Sequence, residues 1–212
     1  SGMKKESLYR EMNESSDYLL DNLKENEKLL NETSEYLFDL LEQRNLHKAS
    51  EYLAVQLLNL NSCNLSDKLI DKLELYRKLK PGKIAPEVLF SDNTKLSDIK
   101  LIKLLVFGAS WCSKCKEDII KLSNNYDAWK EKGVEVVYIS IDTNKTDFEN
   151  TYKNVPWKTD CQFKAWDTKA VKEYHVFATP TYFLLDKDLK IILRPNSVEQ
   201  TNSWINSNIH PN

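Results

Sequence analysis

Glycine is scarce. Gly2, Gly82, Gly108 and Gly133 are the only glycines among 212 residues, and no two lie close together. Dinucleotide fingerprints and phosphate loops need clustered glycines, because the backbone must approach the phosphates closely, so nucleotide chemistry of those kinds is excluded. Long apolar runs are absent too: none approaches the roughly 20 residues that cross a bilayer. Neither sign of charge dominates. Thirty Lys and Arg against 32 Asp and Glu leave a net charge of -2, which gives no general reason to expect nucleic acid or an anionic membrane as partner. With only four cysteines the chain is no disulfide-stapled mini-domain, and at this length it buries roughly 70% of its unfolded surface without staples. Ser1 to Glu6 lead into polar sequence, so no signal peptide is visible. Ser1-Gly2 reads as a cloning remnant, compatible with an export signal removed upstream. What remains is an ordinary soluble composition, 41% apolar and 29% charged, with no repeats or low-complexity segments.

The four cysteines are Cys63, Cys112, Cys115 and Cys161. Cys112-Ser113-Lys114-Cys115 is a C-x-x-C, which serves as half of a zinc site, as a redox dithiol or as a structural disulfide. A tetrahedral zinc site needs two further N or S ligands. The candidates Cys63, Cys161, His47, His175 and His210 are all isolated, without a second C-x-x-C, so no metal and no cofactor is expected. Cys63 and Cys161 read as inert, unbonded thiols.

Two patterns divide the chain. In residues 1–80, Leu20, Leu23, Leu30, Leu37 and Leu41 form the stripe of an amphipathic helix, with Asp21, Glu25, Glu27, Lys28 and Glu32 on its other face. His47 to Leu60 reads as a second helix. Ser66 is placed to cap a third that carries Leu69, Ile70, Leu73 and Leu75. Lys80-Pro81-Gly82 stops the helical pattern. Residues 81–212 alternate short apolar runs with amphipathic segments. Strands are expected at Val88–Phe90, Leu101–Phe107, Val134–Ile141, Thr181–Leu185 and Lys190–Leu193. Helices are expected at Lys114–Lys132, ending before Gly133, and at Lys145–Tyr152, Asp167–Tyr174 and Val198–Asn208. Strand–helix alternation with a final hairpin at Asp186-Lys187-Asp188 predicts an α/β domain with a mixed sheet flanked by helices, preceded by an all-α domain. Trp157 and Trp166 are expected to pack the segment before residue 179 against the sheet.

The C-x-x-C falls where an apolar strand meets a helix. Free amides and the dipole at a helix start stabilise an anion, and a thiolate there is favoured far below the ordinary thiol range. Cys112, nearer the helix start and the more exposed, is the candidate nucleophile. Cys115, one turn on, is the candidate resolving thiol. Lys114 either adds positive charge beside them or points to water.

Phe107-Gly108-Ala109-Ser110-Trp111-Cys112-Ser113-Lys114-Cys115 resembles the active-site segment of the thioredoxin superfamily. Ala178-Thr179-Pro180-Thr181, leading into Tyr182-Phe183-Leu184-Leu185-Asp186, resembles its cis-proline loop, which faces the dithiol. Pro81 to Val88, Lys95-Leu96-Ser97-Asp98 and the long segment between Ile141 and Thr179 resemble the TlpA/ResA-like branch of thiol–disulfide oxidoreductases. The resemblance covers residues 81–212. It implies a thioredoxin-like fold, a cis Thr179–Pro180 peptide beside Cys112, and a substrate surface of Trp111, Lys114, Thr179 and Pro180. The departures are specific. Ser113-Lys114 replaces the Gly-Pro of thioredoxins, so no potential carries over. Val106 stands where thioredoxin has a buried Asp. Asp118 occupies a position where the branch more often has Glu; it is either the proton acceptor for Cys115 or a solvated first-turn acid. Ile120 replaces a helix-kinking proline. Cys161 as a third redox thiol and His175 near the site are weaker candidates than their packing roles.

These residues point to a protein thiol–disulfide oxidoreductase in which the Cys112 thiolate attacks a substrate disulfide and Cys115 resolves the mixed disulfide. The branch implies a reductive role in a periplasmic or otherwise exported compartment. Its partners would be a disulfide-containing protein and a thiol-donating electron carrier, membrane-bound in that setting, with no nucleic acid. The competing readings are a peroxiredoxin-like thiol peroxidase, whose Pro-x-x-x-Thr-x-x-Cys segment is missing before Cys112, and a non-catalytic scaffold. The helical region carries no chemical motif and is expected to bind a partner or serve as scaffold.

Overall fold

The structure, a computed structural model, describes residues 2–44, 46–60 and 65–209, and the side chains of all of these except 2–5, 75 and 76. Cys63 and His210 lie outside the described residues, as does the side chain of Leu75. The chain divides into two compact units, one up to Arg77 and one from Lys78 onward.

The first unit holds four helices among its described residues: α1 (Gly2–Leu23), α2 (Glu27–Gln43), α3 (His47–Asn59) and α4 (Asp67–Lys78). The leucine stripe that predicts one helix is divided between α1 and α2. The break falls at residues 24–26, where the Asn26 side chain accepts the Leu29 amide at 3.1 Å and starts α2. Leu20, Leu30, Phe38, Leu53, Leu57 and Leu69 meet in this unit's core. The buried Glu42 carboxylate accepts the Ser50 hydroxyl and lies 3.0 Å from His47 Nδ1, which ties α2 to α3. Ser66 accepts the Leu69 amide at 3.3 Å, the cap that the sequence predicts.

The second unit is built on a five-stranded sheet of order β3-β2-β1-β4-β5. Its strands are β1 (Ile102–Gly108), β2 (Val134–Ser140), β3 (Lys158–Cys161), β4 (Thr181–Leu185) and β5 (Ile191–Leu193). β1 pairs with β2, and β2 with β3, in parallel; β1–β4 and β4–β5 are antiparallel, so the sheet is mixed. Helices α5 (Ser113–Glu131), α6 (Lys145–Tyr152), α7 (Lys169–Glu173) and α8 (Val198–Asn208) complete it. β1 is apolar throughout its middle because both of its faces are covered. Leu104 and Val106 pack with Leu122, Tyr126 and Trp129 of α5 and with Ile205 of α8. Leu105 and Phe107 face the other way, into a cluster with Val171, Tyr174, Phe183 and both cysteines of the C-x-x-C.

Several local expectations change. Val88–Phe90 forms no strand; it makes one isolated bridge, Leu89 to Lys95, because Phe90 turns at once and donates its amide to Thr94. Val88 and Phe90 are buried and Leu89 exposed, so the alternation of a strand is present without a ladder to extend it. The helix expected over residues 167–174 is only α7, preceded by a short 3-10 turn at Ala165–Asp167. β3 was not foreseen, since Lys158-Thr159-Asp160-Cys161 is polar and pairs only at the sheet edge. Trp157 does pack, with its ring centroid 5.6 Å from that of Tyr126, but Trp166 is 39% exposed and contributes no such contact. Lys103 interrupts the apolar run of β1 yet is fully buried. Its ammonium donates to the carbonyls of Asp186 and Lys187 at 3.1 and 3.4 Å, so it braces the β4–β5 turn from inside, and burial pushes its pKa down.

Candidate active site

The turn from β1 into α5 carries the dithiol. Cys112 is the N-cap residue of α5, and its Sγ accepts the amide N–H of Cys115 at 3.1 Å. A helix start leaves such amides without backbone partners, so a sulfur there takes one of them. The two cysteines form a disulfide, with their Cα atoms 5.2 Å apart. Both are buried, Cys115 more deeply, at 8% and 1% exposure. Trp111, immediately before them, is 60% exposed. The Thr179–Pro180 peptide is cis, and the Thr179 carbonyl oxygen lies 3.5 Å from Cys112 Sγ. The loop before β4 therefore meets the start of α5 at the nucleophile position.

A buried acid fixes the approach to Cys112. Asp142, 1% exposed, follows the C-terminal end of β2. Its carboxylate accepts the Ser110 amide at 3.1 Å to each oxygen, the Ser110 hydroxyl at 2.7 Å and the Ser140 hydroxyl at 2.6 Å. Sequence reasoning missed this network, because a lone Ser and a lone Asp separated by 32 positions carry no spacing signal. Cys161 joins its far side, donating its thiol to the Asp142 carbonyl at 3.3 Å. It is buried, and burial pushes its pKa up, as suits an inert thiol.

Asp118 is buried at 2% exposure, so the solvated first-turn acid is not what the structure holds. Tyr182 of β4 donates its hydroxyl to Oδ2. Lys114 Nζ lies 3.1 Å from Oδ1 and Lys121 Nζ 3.6 Å from it. Lys114 is thus an ion-pair partner of the acid, and of Glu117 at 3.5 Å, rather than a side chain directed only to water. Tyr182 is a further site-adjacent residue the sequence did not announce; its place two residues after Pro180 was readable, the face it presents was not. His175 stacks edge-on against Phe177, with centroids 3.9 Å apart. Ile120 is exposed, and α5 runs on through it unbroken. Among the described residues no three His, Cys, Asp or Glu side chains are grouped to hold a metal ion, and no helix is long and apolar enough to cross a membrane.

A mixed sheet with a C-x-x-C disulfide capping the helix after its central strand defines a thioredoxin-like protein. A family model described as thioredoxin-like matches residues 101–191. The chain is 34% identical over 123 residues to the thiol-disulfide oxidoreductase ResA of Bacillus thuringiensis subsp. konkukian, covering 54% of this chain and 69% of that one. A solved structure titled as a putative thiol:disulfide interchange protein DsbE from Chlorobium tepidum is 27% identical, with a TM-score of 0.52, over 61% of this chain and 97% of that one. A thioredoxin-like protein from Bacteroides caccae matches in fold over 94% of this chain and 78% of that one, with a TM-score of 0.69 at 18% identity. The chain belongs to the ResA/TlpA-like thiol–disulfide oxidoreductases of the thioredoxin superfamily. It is an enzyme of thiol–disulfide exchange, and that class implies disulfide-bearing protein substrates and a thiol-donating partner.

Proposed function

We propose that the chain reduces protein disulfides, with Cys112 as nucleophile and Cys115 as resolving thiol. The observation that carries this assignment is the position of Cys112 Sγ, capping α5 and touching the Thr179 carbonyl. In the reduced enzyme the helix-start amides favour the Cys112 thiolate. That thiolate attacks one sulfur of the substrate disulfide, and the other substrate sulfur leaves as a thiolate and takes a proton from solvent. Cys115 then gives its proton to Asp118, and its thiolate attacks Cys112 Sγ. The mixed disulfide breaks, the Cys112–Cys115 disulfide forms, and the second substrate sulfur leaves as a thiolate that takes a proton, Asp118 releasing the one it accepted. Two electrons have passed from the dithiol to the substrate.

Trp111, exposed beside the pair, supplies apolar contact, and the Thr179 backbone beside Pro180 pairs with an extended substrate segment. Lys114 serves the site through its ion pair with Asp118. The family places such reductants in an exported compartment, fed by a membrane-bound thiol donor, and the ResA and DsbE names of its relatives support that setting here. We read residues 1–80 as a separate helical domain that binds a partner or serves as scaffold, and residues 81–212 as the catalytic one.

The test is reduction of a disulfide-bearing protein such as insulin by the pre-reduced chain, with Cys112→Ser as control. Insulin reduction by the wild type and none by the variant is the expected result. Oxidation of the dithiol by hydrogen peroxide much faster than free cysteine, without insulin reduction, would favour the peroxidase instead. Inertness toward both reagents would leave a scaffold.

A further inference from the structure

We propose that Tyr182 is a positioning residue for resolution: its hydroxyl orients the Asp118 carboxylate and sets the lower pH limit at which Cys115 can be deprotonated. The inference rests on the role given above to Asp118. Asp118 follows Cys115 by three positions on α5, which puts their Cβ atoms about 5–6 Å apart on one helix face. Left alone, a buried carboxylate turns toward whichever donor is nearest. Here one oxygen is held by a hydrogen bond and the other by ion pairs alone. Oδ2 takes the Tyr182 hydroxyl, while Oδ1 faces Lys114 Nζ at 3.1 Å and Lys121 Nζ at 3.6 Å.

Charged and titratable groups from three elements surround this acid. Lys114, Lys121 and Glu117 share its helix, Tyr182 comes from β4, and Glu199 of α8 holds Lys121 at 2.5 Å. Tyr182 is the buried member of this set at 3% exposure, whereas both lysines are more than a third exposed and water screens them. Burial, and then the bond to Asp118, push the Tyr182 pKa far up, so it remains a neutral donor at any working pH. A hydrogen bond donated to a carboxylate favours its charged form, the form able to accept a proton from Cys115.

Tyr182 pairs directly across the β1–β4 ladder with the buried Val106, so the register of the sheet fixes its place beside α5.

The experiment follows the pre-reduced full chain mixed with an aromatic disulfide whose released thiolate absorbs light. Release of the first thiolate reports attack by Cys112, and release of the second reports resolution by Cys115. Tyr182→Phe, which removes one oxygen, should move the acid limb of the second phase up by about one pH unit, roughly a tenfold slowing on that limb, and leave the first phase unchanged. Asp118→Asn should abolish the limb. If Asp118→Asn leaves the second phase unaltered at all pH values, the reading of Asp118 itself fails. If Asp118→Asn removes the limb but Tyr182→Phe leaves it in place, or slows both phases equally, the role of Tyr182 alone is wrong. A carbon-13 titration of the Asp118 carboxyl in folded wild type and Tyr182→Phe reads the same shift independently of rates; no difference between them overturns the proposal.

Discussion

Replacing Gly108 by alanine would put a methyl group where Tyr138 already stands. A Cβ on Gly108 would lie 1.9 Å from the Tyr138 hydroxyl oxygen and 2.6 Å from Cζ. The backbone itself would accept alanine, since Gly108 does not lie in the left-handed region. The obstacle is packing. Tyr138 is 1% exposed and its ring packs 4.9 Å from that of Tyr152, so it has no open space into which to swing. Overpacking of this kind costs about 2 kcal/mol, a fall in melting temperature of roughly 6 °C for a unit of this size. Gly108 ends β1 four residues before Cys112, so the displacement reaches the dithiol and exchange should slow as well. Chemical denaturation of a double-mutant cycle is the assay. Tyr138→Phe removes the oxygen but leaves Cζ too close, so it should relieve part of the penalty. Tyr138→Leu clears the ring tip, and in that background Gly108→Ala should cost less than about 0.5 kcal/mol. An equal penalty in all three backgrounds would refute the steric reasoning and assign the cost to the strand end itself.

Asp142→Ala leaves the Ser110 amide and hydroxyl and the Ser140 hydroxyl without their shared acceptor, so it should destabilise the protein by about 3 kcal/mol and slow disulfide exchange. A loss below about 0.5 kcal/mol in urea unfolding, with exchange unaltered, would contradict the role given to that network. Cys161 should resist alkylation. Burial raises its pKa above the ordinary thiol range, which shrinks the thiolate fraction at pH 7, so iodoacetamide should modify it at least about a hundredfold more slowly in the native chain than in urea. Comparable rates in the two states would show the thiol to be accessible.

The parts of this molecule that were legible in its sequence are those written in neighbouring residues. The dense apolar run before Gly108 is β1, Lys145–Tyr152 and Val198–Asn208 are helices with the predicted ends, and the C-x-x-C lies at a helix start. Side-chain partnerships across the fold were not legible. Asp118 meets Tyr182 over 64 positions and Ser110 meets Asp142 over 32, and no periodicity encodes such pairs. Lys103 is a lysine within an apolar run, and it is a buried brace for a turn 83 residues away. A period-3.6 stripe continues in register across Asn26, so periodicity alone ran α1 into α2; the cap was the better signal there. Val88–Phe90 has a strand's alternation but lacks a partner strand, which a sequence window does not contain.

The division of labour between the two cysteines is the central claim, and covalent trapping tests it most directly. Each single variant, Cys112→Ser and Cys115→Ser, is reduced, mixed with a disulfide-bearing protein, quenched with acid and weighed intact without reductant. Cys115→Ser keeps the capping sulfur of Cys112 beside Thr179 but loses the resolving thiol, so it should accumulate a covalent adduct of the two proteins. Cys112→Ser leaves Cys115 as the one thiol of the pair, 1% exposed, and should form none through it. Equal trapping by both variants, or trapping by Cys112→Ser alone, would contradict the assignment.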